Sequence, residues 1–308
     1  MKSYSPKIAA QMAVRRNTQH GTSRHKLSES AAGLVTSVLT EKAHESALTV
    51  LAKCLLKLNG RHLKNVTQAE SLDYLYSIAK SRRQSTVSLA RQALNLHIFK
   101  NDQLPFVQSE IPTEPQNRAY TRRQIELLTA SAEPDLALSI KIAADAGLRA
   151  MELLTIGKPT DLTPSNRDWN KSRFSARHGD VKYIVHGKGG LKREVRLHSE
   201  LALELENARR QEPMRVSNRG AHLISHYQLI GGQQFSIRFT QLSMKVLGFT
   251  LGGHGLRHSF AQRRRNEYLR CGFSVGEAVP ILSQEMGHFA SKNTWAYLRD
   301  CTHCKQMP

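Results

Sequence analysis

Cysteine is scarce in this chain, with 4 among 308 residues, and acidic side chains, aromatic rings and long apolar runs are scarce too. Four thiols, Cys54, Cys271, Cys301 and Cys304, are too few to suggest a disulfide framework at this length. The CxxC spacing of "CTHC", with His303 between Cys301 and Cys304, is that of a metal knuckle. No second pair completes a zinc site, so it reads as a tail with reduced thiols, and no metal and no cofactor is assigned. No apolar run approaches the ~18 to 20 residues that a bilayer span needs, and no apolar signal core follows Lys2. The expectation is a soluble intracellular protein.

The acidic deficit is the most informative scarcity. Asp and Glu number 25 against 45 Lys and Arg, a formal net charge of +20. An excess of that size predicts attraction to a polyanion and says little about fold. With membrane spans set aside, nucleic acid is the expected partner.

What is present reads as two domains, each long enough for its own core. Residues 1–28 are polar and basic without an acidic side chain, a flexible N-terminal arm by composition. From 29 to 100 the pattern is helical: in "HESALTVLAKCLLKLN" Leu48, Leu51, Leu55 and Leu58 recur at spacings of three and four. "AESLDYLYSIAKS" and "STVSLARQALNLHIF" suggest further helices. Residues 101–119 hold three prolines and little periodicity, and read as a linker. From 120 to 308 the chain reads as helices around a small sheet. "PDLALSIKIAADAG" closes on Gly147 in the position of a left-handed cap. "VKYIVHG" and "REVRLH" flank "KGGLK" as a β-hairpin with Lys188 near its tip. The expected fold class is mainly α with a small β-sheet.

"HGLRHSF", residues 254 to 260, opens a helix with two histidines and an arginine in its first turn. A helix N-terminus already carries partial positive charge, so Arg257 there asks for an anion such as phosphate. Arg149 with Glu152 nearby, Lys188, His254, Arg257, His288 and Tyr297 all fall at element boundaries, where side chains can project into a cleft. Singly, each has an ordinary reading: a surface salt bridge, a solvated turn lysine, a helix C-cap histidine or a core tyrosine.

As an ordered set they resemble the tyrosine recombinases, the phage-integrase family of site-specific DNA recombinases. "GLRAMEL" matches the segment of the family's first arginine (Arg149), and "HGKGGLKREVRL" its hairpin lysine (Lys188). "HGLRHSFA" matches the H-x-L-R-H-x-F-A box (His254, Arg257), and "GHFASKNTWAY" its closing histidine and nucleophilic tyrosine (His288, Tyr297). The match covers about residues 120 to 300, and within the family it looks most like the integrases of mobile elements.

The resemblance implies a two-domain architecture, a helical, SAM-like core-binding domain over 29–100 and an α+β catalytic domain over 120–308. It also implies cleavage and rejoining of DNA through a 3′-phosphotyrosyl intermediate without a metal. Arg149 and Arg257 then clamp the non-bridging oxygens, and Glu152 holds Arg149. Lys188 protonates the leaving 5′-oxygen, His254 assists proton movement, and His288 donates to a non-bridging oxygen. Tyr297, a phenol of pKa near ~10, must be activated by its neighbours. The implied partners are a double-stranded recombination site, three further protomers at synapsis and an accessory directionality protein, in the cytoplasm on the bacterial nucleoid. Arg263, Arg264, Arg265 and Arg270 are a candidate DNA-binding cluster. A type IB topoisomerase-like nicking-closing enzyme, a catalytically silent DNA-binding regulator on the same fold and a basic scaffold protein remain the alternatives.

Overall fold

The computed structural model describes residues 4–20, 34–60, 62–100, 102–112, 117–177, 179–218 and 220–299, without the side chains of Asn59 and Lys188. The CxxC tail, Lys2, Arg24 and Lys26 lie outside the described residues. The chain divides into two compact units, Met1–Glu114 and Pro115–Pro308.

The first unit is helical: α1 (Pro6–Arg15), α2 (Val38–Asn59), α3 (Gln68–Ala79) and α4 (Gln84–Leu94), the last running into a π-helical turn, Asn95–Phe99. Ser5 caps α1 by accepting from the Ile8 amide, and Thr67 with Glu70 forms a capping box on α3. Leu48, Leu51 and Leu55 of α2 are buried with Leu75 of α3 and Leu94 of α4. Leu58, expected on the same stripe, is 72% exposed in the last turn of α2, before its left-handed cap Gly60.

Two expectations change here. Part of the basic arm is α1, whose Ala10 and Val14 are fully buried in this core; two small apolar residues four apart dock a short helix that leaves Lys7, Ile8, Met12 and Arg15 outward. The stretch expected as a linker is laid on the first unit as far as Ile111. Leu104 and Val107 are buried there, the Leu104 amide donates to Asn95 Oδ1 at 2.9 Å, the Ser109 amide donates to Gln84 Oε1 at 2.7 Å, and Ile111 bridges to Arg83.

The second unit begins with α5 (Arg122–Ala130) and α6 (Pro134–Ala146). Gly147 caps α6 at φ 62°, and a Cβ there would run into the Phe260 ring, so only glycine lets the chain turn this close to its neighbour. The expected hairpin follows, β1 (Asp180–His186) pairing antiparallel with β2 (Lys192–His198), Val185 opposite Arg193. Then come α7 (Ser199–Asn207), β3 (Arg209–Asn218), β4 (Ala221–Tyr227), α8 (Gly232–Leu247), α9 (His254–Arg270), α10 (Val275–Glu285) and the short α11 (Lys292–Trp295).

The antiparallel β3–β4 pair makes a second two-stranded sheet that the sequence reading lacked. β3 is mostly exposed, carries Pro213 and has a register shift between Arg209 and Met214; it shows no period-2 apolar signal, and proline is tolerated only because the strand is an edge. The main core joins Leu128 of α5, Ile140 of α6, Val185 of β1, Leu197 of β2, Phe239 of α8 and Leu256 of α9. A smaller cluster of Phe260, Val279, Leu282, Met286 and Leu298 ties α9, α10 and the chain after α11 together, with Tyr297 at its margin. No helix among the described residues is long and apolar enough to cross a membrane. Nor is any His/Cys/Asp/Glu group there fit to hold a metal ion.

Candidate active site

Glu152, 1% exposed, is the anchor. Its Oε1 accepts from Arg149 Nη1 at 2.7 Å, and its Oε2 accepts from the Arg149 amide at 2.9 Å and from Arg193 Nη2 at 2.8 Å. Arg257 Nη1 lies 3.9 Å from Oε2. Burial alone would raise the Glu152 pKa, but Arg193, Arg149 and Arg257 together hold it at about 2. Three guanidinium groups therefore surround one carboxylate, and the excess positive charge has no acidic partner in this cluster.

Arg257 is fully buried. It donates Nη1 to the Gly147 carbonyl and Nη2 to the Met286 carbonyl, which clamps the end of α6 to the end of α10. Burial, then the neighbouring Arg149, push its pKa down, yet a guanidinium remains charged at neutral pH. Its Cζ lies 5.7 Å from the Tyr297 ring centre.

His288 follows the cap of α10. Its Nε2 faces Arg149 Nη2 at 3.1 Å and Arg257 Nη2 at 3.4 Å, while its Nδ1 is 3.0 Å from Thr294 Oγ1. Burial and then Arg257, Arg149 and Arg193 push its pKa down to about 3. The ring is thus neutral, and because a guanidinium can only donate, Nε2 accepts and Nδ1 carries the proton. Without DNA in the site, His288 Nε2 is the acceptor that orients two arginines.

Tyr297, just beyond α11, sits among three imidazoles. Its Oη is 3.0 Å from His254 Nε2, and its ring centre is 5.3 Å from that of His254, 4.5 Å from His258 and 5.6 Å from His288. Its carbonyl accepts from Gln262 Nε2 at 3.2 Å. His254 and His258 lie four apart on α9, so their rings share a face. Burial is the main cause that lowers both to about 4. A neutral imidazole has one lone pair, and in the tautomer that turns it toward the phenol His254 Nε2 accepts from Tyr297 Oη. An open cleft of about 470 Å³ is lined here by Arg118, His254, His258, His288, Asn293 and Tyr297, among others. Beside it a smaller one of about 280 Å³ reaches Arg149, Glu152 and Arg193, with His288 and Asn293 common to both.

The structure thus gathers Arg149, Glu152, Arg257, His254, His288 and Tyr297. Lys188 begins the turn between β1 and β2, and its side chain lies outside the described residues. Sequence reasoning passed over Arg193, His258, Arg118 and Asn293. For Arg193 a signal existed: in "KREVRLH" it alternates inward with Val195 and Leu197. For His258 the signal was its position four after His254.

The arginine cluster of α9 divides. Arg264 is fully buried, with Nε and Nη2 on the Glu285 carboxylate at 2.9 and 2.7 Å and Nη1 on Glu267, so it is a core ion pair and not a DNA contact. Arg263 is tied to Asp145 at 3.2 Å, and Arg265 lies on Asn266. Arg270 is exposed.

No protein-family model matches the sequence, and no curated protein matches it. Solved structures do. The XerH site-specific recombinase bound to palindromic difH in a post-cleavage complex is 16% identical with a TM-score of 0.59 over 98% of this chain and 95% of that one. A lambda integrase dimer bound to a COC′ core site is 16% identical with a TM-score of 0.55 over 86% and 90%. A lambda integrase tetramer bound to a Holliday junction is 16% identical with a TM-score of 0.53 over 85% and 72%. At this identity the likeness is one of architecture, and the chain has the fold of the tyrosine recombinases.

Proposed function

We propose that the protein is a site-specific tyrosine recombinase, an integrase of a mobile DNA element, that cleaves and rejoins DNA through a 3′-phosphotyrosyl intermediate. One observation carries the reading: the Tyr297 hydroxyl lies 3.0 Å from the neutral His254 Nε2, beside a cluster in which three arginines outnumber a single carboxylate. A phosphodiester is the anion such a site is built to take, and its charge grows as it is attacked in line.

In this reading Tyr297 Oη attacks phosphorus while its proton passes to His254 Nε2. The bond to the 5′-oxygen breaks, and that oxygen takes a proton from Lys188. Arg149 and Arg257 meet the non-bridging oxygens with donors that stay charged, and the phosphate replaces His288 as the acceptor of Arg149. A 5′-hydroxyl of the partner duplex then attacks the phosphotyrosine, giving its proton back to Lys188 as the phenol recovers its own. The bond energy stays in the covalent link, so no nucleotide cofactor is needed.

The first unit takes the core-binding role, with the catalytic domain after it. The DNA-bound states of XerH and lambda integrase support double-stranded DNA as the partner, and the lambda integrase tetramer on a Holliday junction supports a tetramer at synapsis; an accessory protein that sets direction is part of the same proposal. The charge of +20 supports binding that weakens steeply with salt. The test incubates the protein with nicked duplexes spanning the DNA beside its gene and looks for an SDS-resistant adduct. Site-specific binding without any adduct favours the silent regulator, and relaxation of arbitrary supercoiled plasmid favours the topoisomerase-like enzyme.

A further inference from the structure

Arg193 is the one fully buried arginine at the site that no part of the reaction above uses. It stands on β2 of the hairpin and is 1% exposed. Nη2 donates to Glu152 Oε2 at 2.8 Å, and Nη1 donates to the Glu285 carbonyl at 2.7 Å. A Cβ on Gly287, φ 72°, would lie 2.9 Å from Arg193 Cδ and 3.2 Å from its Nε, so the turn before His288 is glycine where the arginine stem crosses it. One side chain thus touches the carboxylate that aims Arg149 and the turn that carries His288.

Arg264 shows the contrast. All three of its nitrogens are spent on the carboxylates of Glu285 and Glu267, which satisfies a core ion pair. Arg193 hydrogen-bonds one carboxylate, Glu152, which it shares with Arg149, and its Nε has no partner among the described residues. A buried cation with an unspent donor beside a shared carboxylate is poorly explained as a stability device.

We infer that Arg193 is a positioning residue: from the hairpin strand it fixes the Glu152 carboxylate and the His288 turn, and through them the aim of Arg149 at the phosphate. The inference rests on the strand-transfer reading above. It also makes the β1–β2 hairpin and the turn of His288 one mechanical piece, joined by a single forked side chain.

The experiment compares the native protein, Arg193→Met and Arg193→Lys, each also in a Glu152→Gln background. Single-turnover adduct formation, DNA affinity and the titration of the His288 imidazole by NMR are measured for each. Arg193→Met is expected to slow adduct formation on the order of 100-fold, the scale of a small misplacement at a reacting centre, with DNA affinity held within about threefold. Arg193→Lys, which keeps the charge but not the fork, falls between, and it carries the test if the methionine variant does not fold. With Glu152→Gln already present, Arg193→Met adds less than about threefold, because residues acting through one another are not additive. His288 titrates higher in Arg193→Met, where a neighbouring cation is gone. Native rates in both Arg193 variants, or full additivity with Glu152→Gln, overturn the inference. If the native protein forms no adduct, the strand-transfer reading fails instead, and an unchanged His288 titration in Arg193→Met then overturns the positioning role.

Discussion

Tyr297 Oη and His254 Nε2 lie 3.0 Å apart, a hydrogen-bond distance between the one phenol of the cleft and a neutral imidazole at the first turn of α9. The contact joins residues 43 apart in the chain, and in the strand-transfer reading proposed above it makes His254 the group that takes the phenol's proton.

His254 accepts only while neutral. Its pKa stands at about 4, lowered chiefly by burial and then by Arg257, so the neutral form holds above that value and is lost as pH falls through it. Adduct formation at subsaturating DNA should therefore stay level from neutral pH down to about 5 and decline with a midpoint near 4, not near the ~6.5 of a free histidine. A pH profile of single-turnover rates checks this. His254→Ala should lower the rate by about 100- to 10,000-fold at pH 7, the range of a lost general base.

Glu152→Gln removes the only carboxylate among three arginines. Breaking a buried ion cluster from the carboxylate side should cost about 3–5 kcal/mol, read by denaturant unfolding. The native Glu152 pKa, about 2, lies below the ~4.3 of an exposed glutamate. Its contribution is therefore complete above the unfolded value and disappears as pH falls from there through 2. Unfolding midpoints of native protein and variant should converge in strong acid.

Arg264 and Arg270 should part company. Arg264→Met leaves Glu285 a buried charge without its partner and should destabilise the second unit by about 3–5 kcal/mol. Arg270→Ala should leave stability unchanged and, if that exposed side chain meets a phosphate, reduce the salt slope of DNA binding by about 1. Melting curves and salt titrations of the two variants separate the roles.

How much was legible depended on where the charges went. The hairpin turn of Lys188, the cap Gly147 and the helices around them followed from periodicity and glycine placement. α9 hid half its meaning. Its buried stripe runs Arg257, Phe260, Ala261, Arg264, Tyr268, with arginines where an amphipathic pattern needs apolar residues, so Arg264 passed for a surface cation. Its partner Glu285 lies on another helix, a pairing no local spacing announces. β3 was missed because an exposed strand with a proline has no alternation to read, and α1 because two buried small residues hardly disturb a basic composition.

The first unit holds a buried histidine pair. His97 Nε2 lies 2.9 Å from His44 Nδ1, and Asn17 Nδ2 reaches His97 Nδ1 at 3.3 Å. Burial, then His44 and Lys100, lower the His97 pKa to about 4. The neutral ring is favoured in the folded state, so its stabilisation is whole above the unfolded value of ~6.5 and is lost as pH falls toward 4. Protection factors of the α4 amides, corrected for intrinsic exchange at each pH, should fall across that interval, and less so in His97→Gln.

A nucleophilic Tyr297 must leave a covalent adduct on the DNA. Nicked suicide duplexes covering the DNA beside the gene are incubated with the native protein and with Tyr297→Phe, which removes one oxygen and keeps the ring. Denaturing gels and mass spectrometry of the digested adduct then locate the link. The expected result is a 3′-phosphate on Tyr297 in the native protein and no adduct in the variant, with DNA binding retained by both. An adduct that persists in Tyr297→Phe, or that maps to another residue, contradicts it.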